Sequence, residues 1–306
     1  MNLRAALHDY LAIRRSFGYR LARSEKLLQQ FVDALEAAGV TTVRNEQTLA
    51  WATQPADGTA YWWGYRLGVA RSFLHHLATL DPATQVPASD MLRRPNTRAT
   101  PFLYSDSELI ALMNAAGRLS TPLRRLTYRT LLGLLAVTGM RIGEAIALDR
   151  DHYDASEGVI TIMRGKFGKT RENPLHPSTV TALNEYLQQR DALQPPAKSP
   201  ALFTSTAGTR LLYCNVQWTF QRLVKRAGLQ PRSPGCRPRI HDLRHRLAVN
   251  TLLDAYRTGA DAQYRLTLLA TYLGHVNPAA TYWYLSASPE LLALTSARLE
   301  RNCARP

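Results

Sequence analysis

One break in a helical pattern is the feature that most restricts the fold. Apolar residues recur every three or four positions along most of the chain, as Leu28, Phe31 and Leu35 do, which is typical of amphipathic α-helices. Between residues 158 and 175 this period stops, and GVITIM followed by RGKFGKTRENPL predicts two short strands joined by a glycine-containing turn. The sequence therefore predicts a mainly α fold that contains one small antiparallel β-sheet.

A segment rich in proline and arginine divides the chain. LRRPNTRATP, residues 92–101, has no apolar period, which favours an interdomain linker. We therefore expect a helical domain over residues 1–95, a linker over 96–103, a mostly helical domain over 104–288, and a C-terminal helix or tail over 289–306.

Local signals place several helix ends. Gly39 and Gly139 are expected to end helices, and Ser105 with Glu108 has the spacing of a capping box at a helix start. A helix is also predicted over about 60–80. It opens with a dense aromatic group, and we interpret most of these rings as core: Tyr61, Trp62, Trp63 and Tyr65.

The charge of the chain indicates a polyanionic partner. The net charge is +15, and residues 96–306 contribute most of it, with 27 Lys and Arg against 15 Asp and Glu. Only five basic residues are lysine, and arginine suits bidentate contacts to phosphate. DNA or RNA is the expected partner, although anionic membranes attract the same charge.

Several protein classes are disfavoured by the sequence. No stretch approaches the roughly 20 apolar residues of a membrane span, and the N-terminus reads as an amphipathic helix rather than a signal peptide, so we expect a cytoplasmic protein without membrane partners. Cys214, Cys236 and Cys303 are widely spaced, which favours isolated thiols over a disulfide framework or a metal cage.

Two segments supply arginines and histidines. In TGMRIGE, Arg141 follows a helix-ending glycine, and it is either a surface arginine or a guanidinium aimed at an anion. In HDLRH, His241 and Arg244 share a helical face and could grip one phosphate. His241 and His245 have the spacing of a metal pair but lack an adjacent Glu and an evident third ligand, so metal is the weaker interpretation.

Two further segments supply a lysine and a tyrosine. Lys166 and Lys169 lie in the predicted hairpin turn, where a lysine is either solvated or a proton donor that reaches into a site. LGHVNPAATYWYL places His275 in a turn, with Tyr282 and Tyr284 on the short helix that follows. A tyrosine in such a helix is usually a packing residue.

Together these side chains form a coherent set for phosphoryl transfer. A tyrosine can act as the nucleophile, the arginines can neutralise charge on the phosphate oxygens, and lysine and histidine can move protons. The set needs no cofactor and no metal ion, and the sequence contains no Asp/Glu metal box.

These motifs, in this order, resemble the tyrosine recombinase (phage integrase) family over roughly residues 100–290. The resemblance implies a core-binding domain over residues 1–95 and a catalytic domain over 104–288. Arg141 and Arg244 would clamp the scissile phosphate, and Glu144 would orient Arg141 from behind. Lys166, or alternatively Lys169, would protonate the departing 5′-oxygen.

The remaining roles follow from the same resemblance. His241 is similar to the family's general base, and His275 to the histidine that hydrogen-bonds the phosphate. Tyr284 ends the T-x-x-Y pattern that begins at Thr281 and is the implied nucleophile, with Tyr282 as the alternative. The residue 244–275 interval is longer than in compact members, so DAYRTGADAQYR is expected to be an added helix–loop excursion.

The resemblance implies a site-specific recombinase that forms a 3′-phosphotyrosyl intermediate. It implies a homo-tetramer on two synapsed DNA duplexes, a monomer or dimer when free, and a C-terminal helix that docks on a neighbour or packs within its own chain. The core-binding domain is expected to take up the first 95 residues, with no arm-binding domain apparent before it, which favours a transposon or mobile-element enzyme. The alternatives are a type IB topoisomerase-like nicking-closing enzyme, an inactive DNA-binding regulator, and a metal-dependent nuclease.

Overall fold

The computed structural model divides into two compact units, Met1–Arg98 and Ala99–Pro306. Mainly helical structure with one small antiparallel sheet confirms the predicted fold class. In the described part of the chain, no helix combines the length and the apolar character needed to cross a membrane. The structure describes residues 2–19, 21–92, 99–163, 170–193, 198–275, 277, 279–282, 284 and 289–303.

The first unit is helical wherever it has regular structure in its described residues. Its helices are α1 (Leu3–Ser16), α2 (Ala22–Ala37), α3 (Asn45–Thr53) and α4 (Ala60–Leu80). Their apolar faces meet in one core, in which Phe31, Phe73 and Leu74 are fully buried. Helix α3 was not predicted, because NEQTLAWAT buries only part of one short face and has no clear apolar period.

The aromatic group at the start of α4 is core only in part. Trp62 and Tyr65 stack with their ring centroids 5.6 Å apart and pack against the core. Trp63 donates from Nε1 to the carbonyl oxygen of Pro55 at 2.8 Å. Tyr61 is 60% exposed, because it lies on the outer face of the first turn.

The second unit combines helices with short strands. The strands are β1 (Tyr153–Asp154), β2 (Val159–Ile162) and β3 (Arg171–Pro174), and a 3-10 turn covers Arg150–His152. The helices are α5 (Asp106–Ala116), α6 (Pro122–Thr138), α7 (Ile142–Ala147), α8 (Pro177–Leu193), α9 (Tyr213–Arg226), α10 (Asp242–Arg257), α11 (Ala262–Leu273), α12 (Ala279–Tyr282) and α13 (Pro289–Cys303).

The predicted hairpin is present as the antiparallel pair β2–β3. Ile160 pairs with Asn173, and Ile162 with Arg171, so the strands run in register towards the turn. Ile160 and Ile162 point into the core, as the alternation of the sequence requires. Strand β1 adds an edge to the sheet, with Tyr153 opposite Ile160.

The boundary of the linker differs from the prediction. Residues 99–103 were assigned to the linker but belong to the second unit, where the Phe102 ring is fully buried and lies 4.9 Å from the Tyr104 ring. The Tyr104 hydroxyl donates to the carbonyl oxygen of Arg239 at 2.9 Å. This contact spans more than a hundred residues, so the local composition could not reveal it.

The interval between Arg244 and His275 is formed by most of α10, a short loop and α11. Residues 254–265 are the last turn of α10, a short loop and the first turn of α11, where Asp261 caps the helix by accepting from Gln263 and Tyr264. The two helices pack along their length. The segment DAYRTGADAQYR is therefore the end of one helix, a short loop and the start of the next.

Helix α13 packs on α10 of the same chain. Leu291 is fully buried in a cluster formed by α10 and α11, and Glu290 pairs with Arg257.

Gly139 ends α6 in a position that no other residue fits well. Its φ is +59°, and an added Cβ would lie 2.8 Å from Leu247 and 2.9 Å from Leu273 side-chain atoms. Gly139→Ala is expected to lower the free energy of unfolding by about 2 kcal/mol or more, from left-handed strain and overpacking. Urea denaturation measures this free energy.

Gly143 is the matched control, because it lies within α7 and an added Cβ would meet open space. Gly143→Ala should leave stability unchanged or raise it by about 0.5–1 kcal/mol; equal losses in both variants would contradict the account.

Candidate active site

Arg244 is held by the ends of two helices. It lies in the first turn of α10, and only 2% of the residue is exposed. Its Nη1 donates to the carbonyl oxygen of Gly139 at 2.7 Å, and its Nη2 to that of Leu273 at 2.8 Å. These carbonyls end α6 and α11, so they lack partners within their helices and carry the negative end of the helix dipole. They compensate a cation whose pKa is lowered by burial.

His275 is fixed between Arg244 and Thr281. Its Nε2 lies 2.8 Å from Arg244 Nη2, and its Nδ1 lies 2.7 Å from the Thr281 hydroxyl. A guanidinium can only donate, so Nε2 must accept. The neutral imidazole then carries its proton on Nδ1 and donates it to Thr281, whose side chain is fully buried.

Tyr284 closes the cluster, and Tyr282 does not enter it. The Tyr284 ring is 3% exposed, and its phenol oxygen forms a hydrogen bond with Arg244. Its ring stacks on His275 with the centroids 6.0 Å apart and meets His245 edge to face at 5.3 Å. Tyr282 is 51% exposed.

Arg141 is oriented by Glu144. The Arg141 backbone N–H donates to Glu144 Oε2 at 2.8 Å, and Arg141 Nη1 donates to Oε1 at 2.7 Å. Arg171 reaches the same carboxylate from β3, donating to Oε1 at 3.2 Å and to Oε2 at 2.8 Å. Burial opposes ionisation of this carboxyl, but the bonds from Arg171 and Arg141 outweigh it and hold the pKa of Glu144 at about 2.

His241 lies at the mouth of this arrangement, at the N-terminus of α10. Desolvation by the surrounding protein lowers its pKa to about 4, and the cations of Arg244, Arg141 and Arg239 act in the same direction. The imidazole is therefore neutral near pH 7 and can accept a proton. Its ring meets that of His245 edge to face, with the centroids 4.9 Å apart.

Two predictions of the sequence analysis concern the hairpin lysines and a possible metal site. Lys166 and Lys169 lie outside the described residues. Among the residues that are described, the His, Cys and acidic side chains close enough together to hold a metal ion are Asp149, Asp151 and His152, a group that includes neither His241 nor His245.

Comparison with known proteins identifies the family. A model described as the phage integrase family matches residues 103–290. The chain belongs to the phage integrase family. The integrase/recombinase y4rB of Sinorhizobium fredii is 40% identical to this integrase over 307 residues, covering 98% of this chain and 97% of y4rB. The tyrosine recombinase XerD of Mycobacterium tuberculosis is 30% identical over 216 residues, covering 69% of this chain and 65% of XerD. This integrase is therefore an enzyme of the tyrosine recombinase class.

Solved structures share the fold of this integrase. The Tn1549 transposon integrase in complex with transposon right end DNA superposes with a TM-score of 0.67 at 16% identity, covering 98% of this chain and 99% of that chain. XerH bound to a palindromic difH substrate, in a post-cleavage complex, gives a TM-score of 0.62 at 20% identity, covering 90% and 78%.

The sequence analysis did not predict the contacts that three further side chains make in the recombinase site. Arg171 binds Glu144, Thr281 binds His275, and His245 packs against Tyr284. His245 and Thr281 stood inside the quoted motifs and could have been assigned supporting contacts. Arg171 carried no signal, because an arginine on a short strand is usually solvated.

Proposed function

We propose that this recombinase binds double-stranded DNA and cleaves and rejoins its strands through a covalent bond between the DNA 3′-phosphate and Tyr284. The observation that carries the proposal is the cluster of Tyr284, Arg244 and His275, in which a phenol oxygen lies against a rigidly held guanidinium. Tyr282 is 51% exposed and is the weaker candidate for the nucleophile.

Arg244 and Arg141 would bind the non-bridging oxygens of the scissile phosphate. Guanidinium groups held in place before the reaction stabilise the charge that develops in the transition state at no reorganisation cost. Tyr284 and Arg244 are both buried in the DNA-free chain.

Proton transfer would involve His241 and the hairpin. With its pKa lowered to about 4, His241 is neutral at physiological pH and would be able to accept the proton of the attacking phenol, although the same shift makes it a weaker base. Lys166, or Lys169 in its place, would protonate the departing 5′-oxygen. Once Arg244 donates to a phosphate oxygen instead of to Nε2 of His275, that nitrogen would take up a proton from solvent and donate it to the phosphate, while Nδ1 keeps its hydrogen bond to Thr281.

The complete reaction would be strand exchange. The phosphotyrosine bond keeps the energy of the broken phosphodiester, so a 5′-hydroxyl of the partner strand can attack it without ATP or a divalent metal ion. We further propose that residues 1–95 bind DNA beside the cleavage site, that four protomers act on two synapsed duplexes, and that the enzyme serves a transposon or another mobile element in the bacterial cytoplasm.

A nicked suicide substrate tests the proposal. Duplex DNA carrying the ends that flank the protein's own gene is nicked close to the expected cleavage position, so that the short 5′-hydroxyl fragment diffuses away. A denaturing gel should then reveal a covalent protein–DNA adduct that forms equally well in excess chelator. Cleavage without an adduct, or cleavage that the chelator abolishes, would favour a metal-dependent nuclease.

The type IB topoisomerase-like alternative is distinguished by using two sites. If two DNA duplexes with different labels are supplied, a recombinase joins the label of one to the other. A nicking-closing enzyme relaxes supercoils but leaves the labels on their original strands.

A further inference from the structure

A largely buried arginine to which the sequence analysis gave no role connects two parts of the candidate site, the Arg141–Glu144 pair and the end of α11 that precedes His275. Arg171 on β3 donates from both terminal nitrogens to Glu144, the carboxylate that also binds Arg141. Its Nε donates to the carbonyl oxygen of Tyr272 in the last turn of α11, at 3.1 Å. One guanidinium thus connects the start of α7 to the end of α11.

The end of α11 is shaped to fit this guanidinium. Gly274 has a φ of +68°, and an added Cβ would lie 2.8 Å from Arg171 Nη1. The residue after Gly274 is His275, whose imidazole accepts from Arg244. Asn173, fully buried on the same strand, also donates to the Tyr272 carbonyl oxygen, at 3.3 Å.

We infer that Arg171 is a positioning residue for the cleavage reaction, which fixes Arg141 through Glu144 and fixes His275 through the end of α11. The role rests on the proposed cleavage by Tyr284. Only 13% of the Arg171 side chain is exposed, and three of its nitrogens are directed at protein acceptors. Arg171 therefore positions the side chains that bind the phosphate, and it does not bind the phosphate itself.

Single-turnover adduct formation on saturating suicide substrate tests the inference. Arg171→Met is expected to slow adduct formation about tenfold to a hundredfold, on the scale of losing an orienting partner or of a misplacement near 1 Å. DNA affinity should stay unchanged, and Arg171→Lys should recover part of the rate. Should Arg171→Met melt below the assay temperature, Arg171→Lys alone is expected to be slower than the wild type.

Arg210 provides the matched control. It pairs with the carboxylate of Asp149 and donates to the carbonyl oxygens of Ile146 and Leu148 at the other end of α7. Arg210→Met removes the same kind of contacts and is expected to lower stability without slowing the adduct step. Equal slowing in Arg171→Met and Arg210→Met would assign Arg171 a merely structural role, and a wild-type rate in Arg171→Met would also overturn the inference.

The pH dependence of the rate of adduct formation provides a second test, because a purely structural defect would not change it. Glu144 faces the cations of Arg141 and Arg171, with His241 and Arg244 also within electrostatic reach. Without Arg171 the pKa of the Glu144 carboxyl rises, so the rate of Arg171→Met relative to wild type should fall further from pH 7 to pH 5. His241, whose pKa lies at about 4 in the wild type, stays mostly neutral over this range. A flat ratio contradicts the inference.

A readout without DNA separates this inference from the proposed function. The Nε–H signal of Arg141 in a ¹⁵N-arginine NMR spectrum, assigned by its loss in Arg141→Lys, should shift or broaden in Arg171→Met and stay in place in Arg210→Met. An unmoved signal overturns the positioning role. A wild-type protein that forms no adduct contradicts the proposed function alone.

Discussion

Tyr284→Phe is expected to abolish the covalent protein–DNA adduct and to leave DNA affinity unchanged. The substitution removes the phenol oxygen, which is the atom proposed to attack phosphorus, and keeps the ring that packs among α10, α11 and α13. Losing its hydrogen bond with Arg244 should cost only about 0.5–1.5 kcal/mol of stability. Denaturing gels measure the adduct, and fluorescence anisotropy measures the affinity.

Tyr282→Phe is the control, because Tyr282 lies two residues away and is half exposed. It should form the adduct at the wild-type rate. An adduct that survives in Tyr284→Phe and disappears in Tyr282→Phe would transfer the nucleophilic role to Tyr282.

Arg244→Lys is expected to slow adduct formation by about a hundredfold or more, the scale of losing one preorganised donor in a transition-state site. An ammonium retains the charge but cannot span the carbonyl oxygens of Gly139 and Leu273 while also donating to His275. Each carbonyl left without a donor should cost about 1–3 kcal/mol of stability.

Arg190→Lys is the control that distinguishes a loss of stability from a loss of catalytic rate. It is 3% exposed and donates to the carbonyl oxygens of Ala201 and Leu202, so its surroundings resemble those of Arg244 without a candidate catalytic group. Arg190→Lys should melt at a lower temperature and still form the adduct at the wild-type rate wherever it is folded. Equal rates for Arg190→Lys and Arg244→Lys would remove Arg244 from the mechanism.

Local sequence signals were sufficient for much of the fold. Ser105 and Glu108 form the predicted capping box, with Ser105 Oγ accepting from the Glu108 backbone at 3.1 Å. The predicted ends at Gly39 and Gly139 are glycines with positive φ that follow α2 and α6. These features depend on contacts within one helical turn, which is why the sequence alone could predict them.

Features that depend on distant contacts could not be predicted in the same way. Phe102 was assigned to the linker, because it is buried by residues far along the chain and the local sequence does not reveal these contacts. The choice between Tyr282 and Tyr284 rested on motif spacing, whereas the opposite exposures of the two rings arise from the packing of α10 and α11. Arg171 escaped notice for the same reason, since its partners lie 27 and 101 residues away.

The site residues differ in how far the sequence could assign them. Motif order indicated Arg141, Arg244, His241 and His275 as members of one set. The structure places His275 against Arg244, and His241 within electrostatic reach of Arg244 and Arg141. Their hydrogen bonds were not predictable, because the acceptors of Arg244 are backbone carbonyls whose position depends on where two helices end. Lys166 stays a prediction.

Mapping the attached nucleotide tests the central claim most directly. The covalent adduct is trimmed with nuclease, digested with protease and sequenced by tandem mass spectrometry. The predicted result is a nucleotide joined through its 3′-phosphate to the Tyr284 side chain. A nucleotide on Tyr282, or on a serine, histidine or any other residue, would contradict the account.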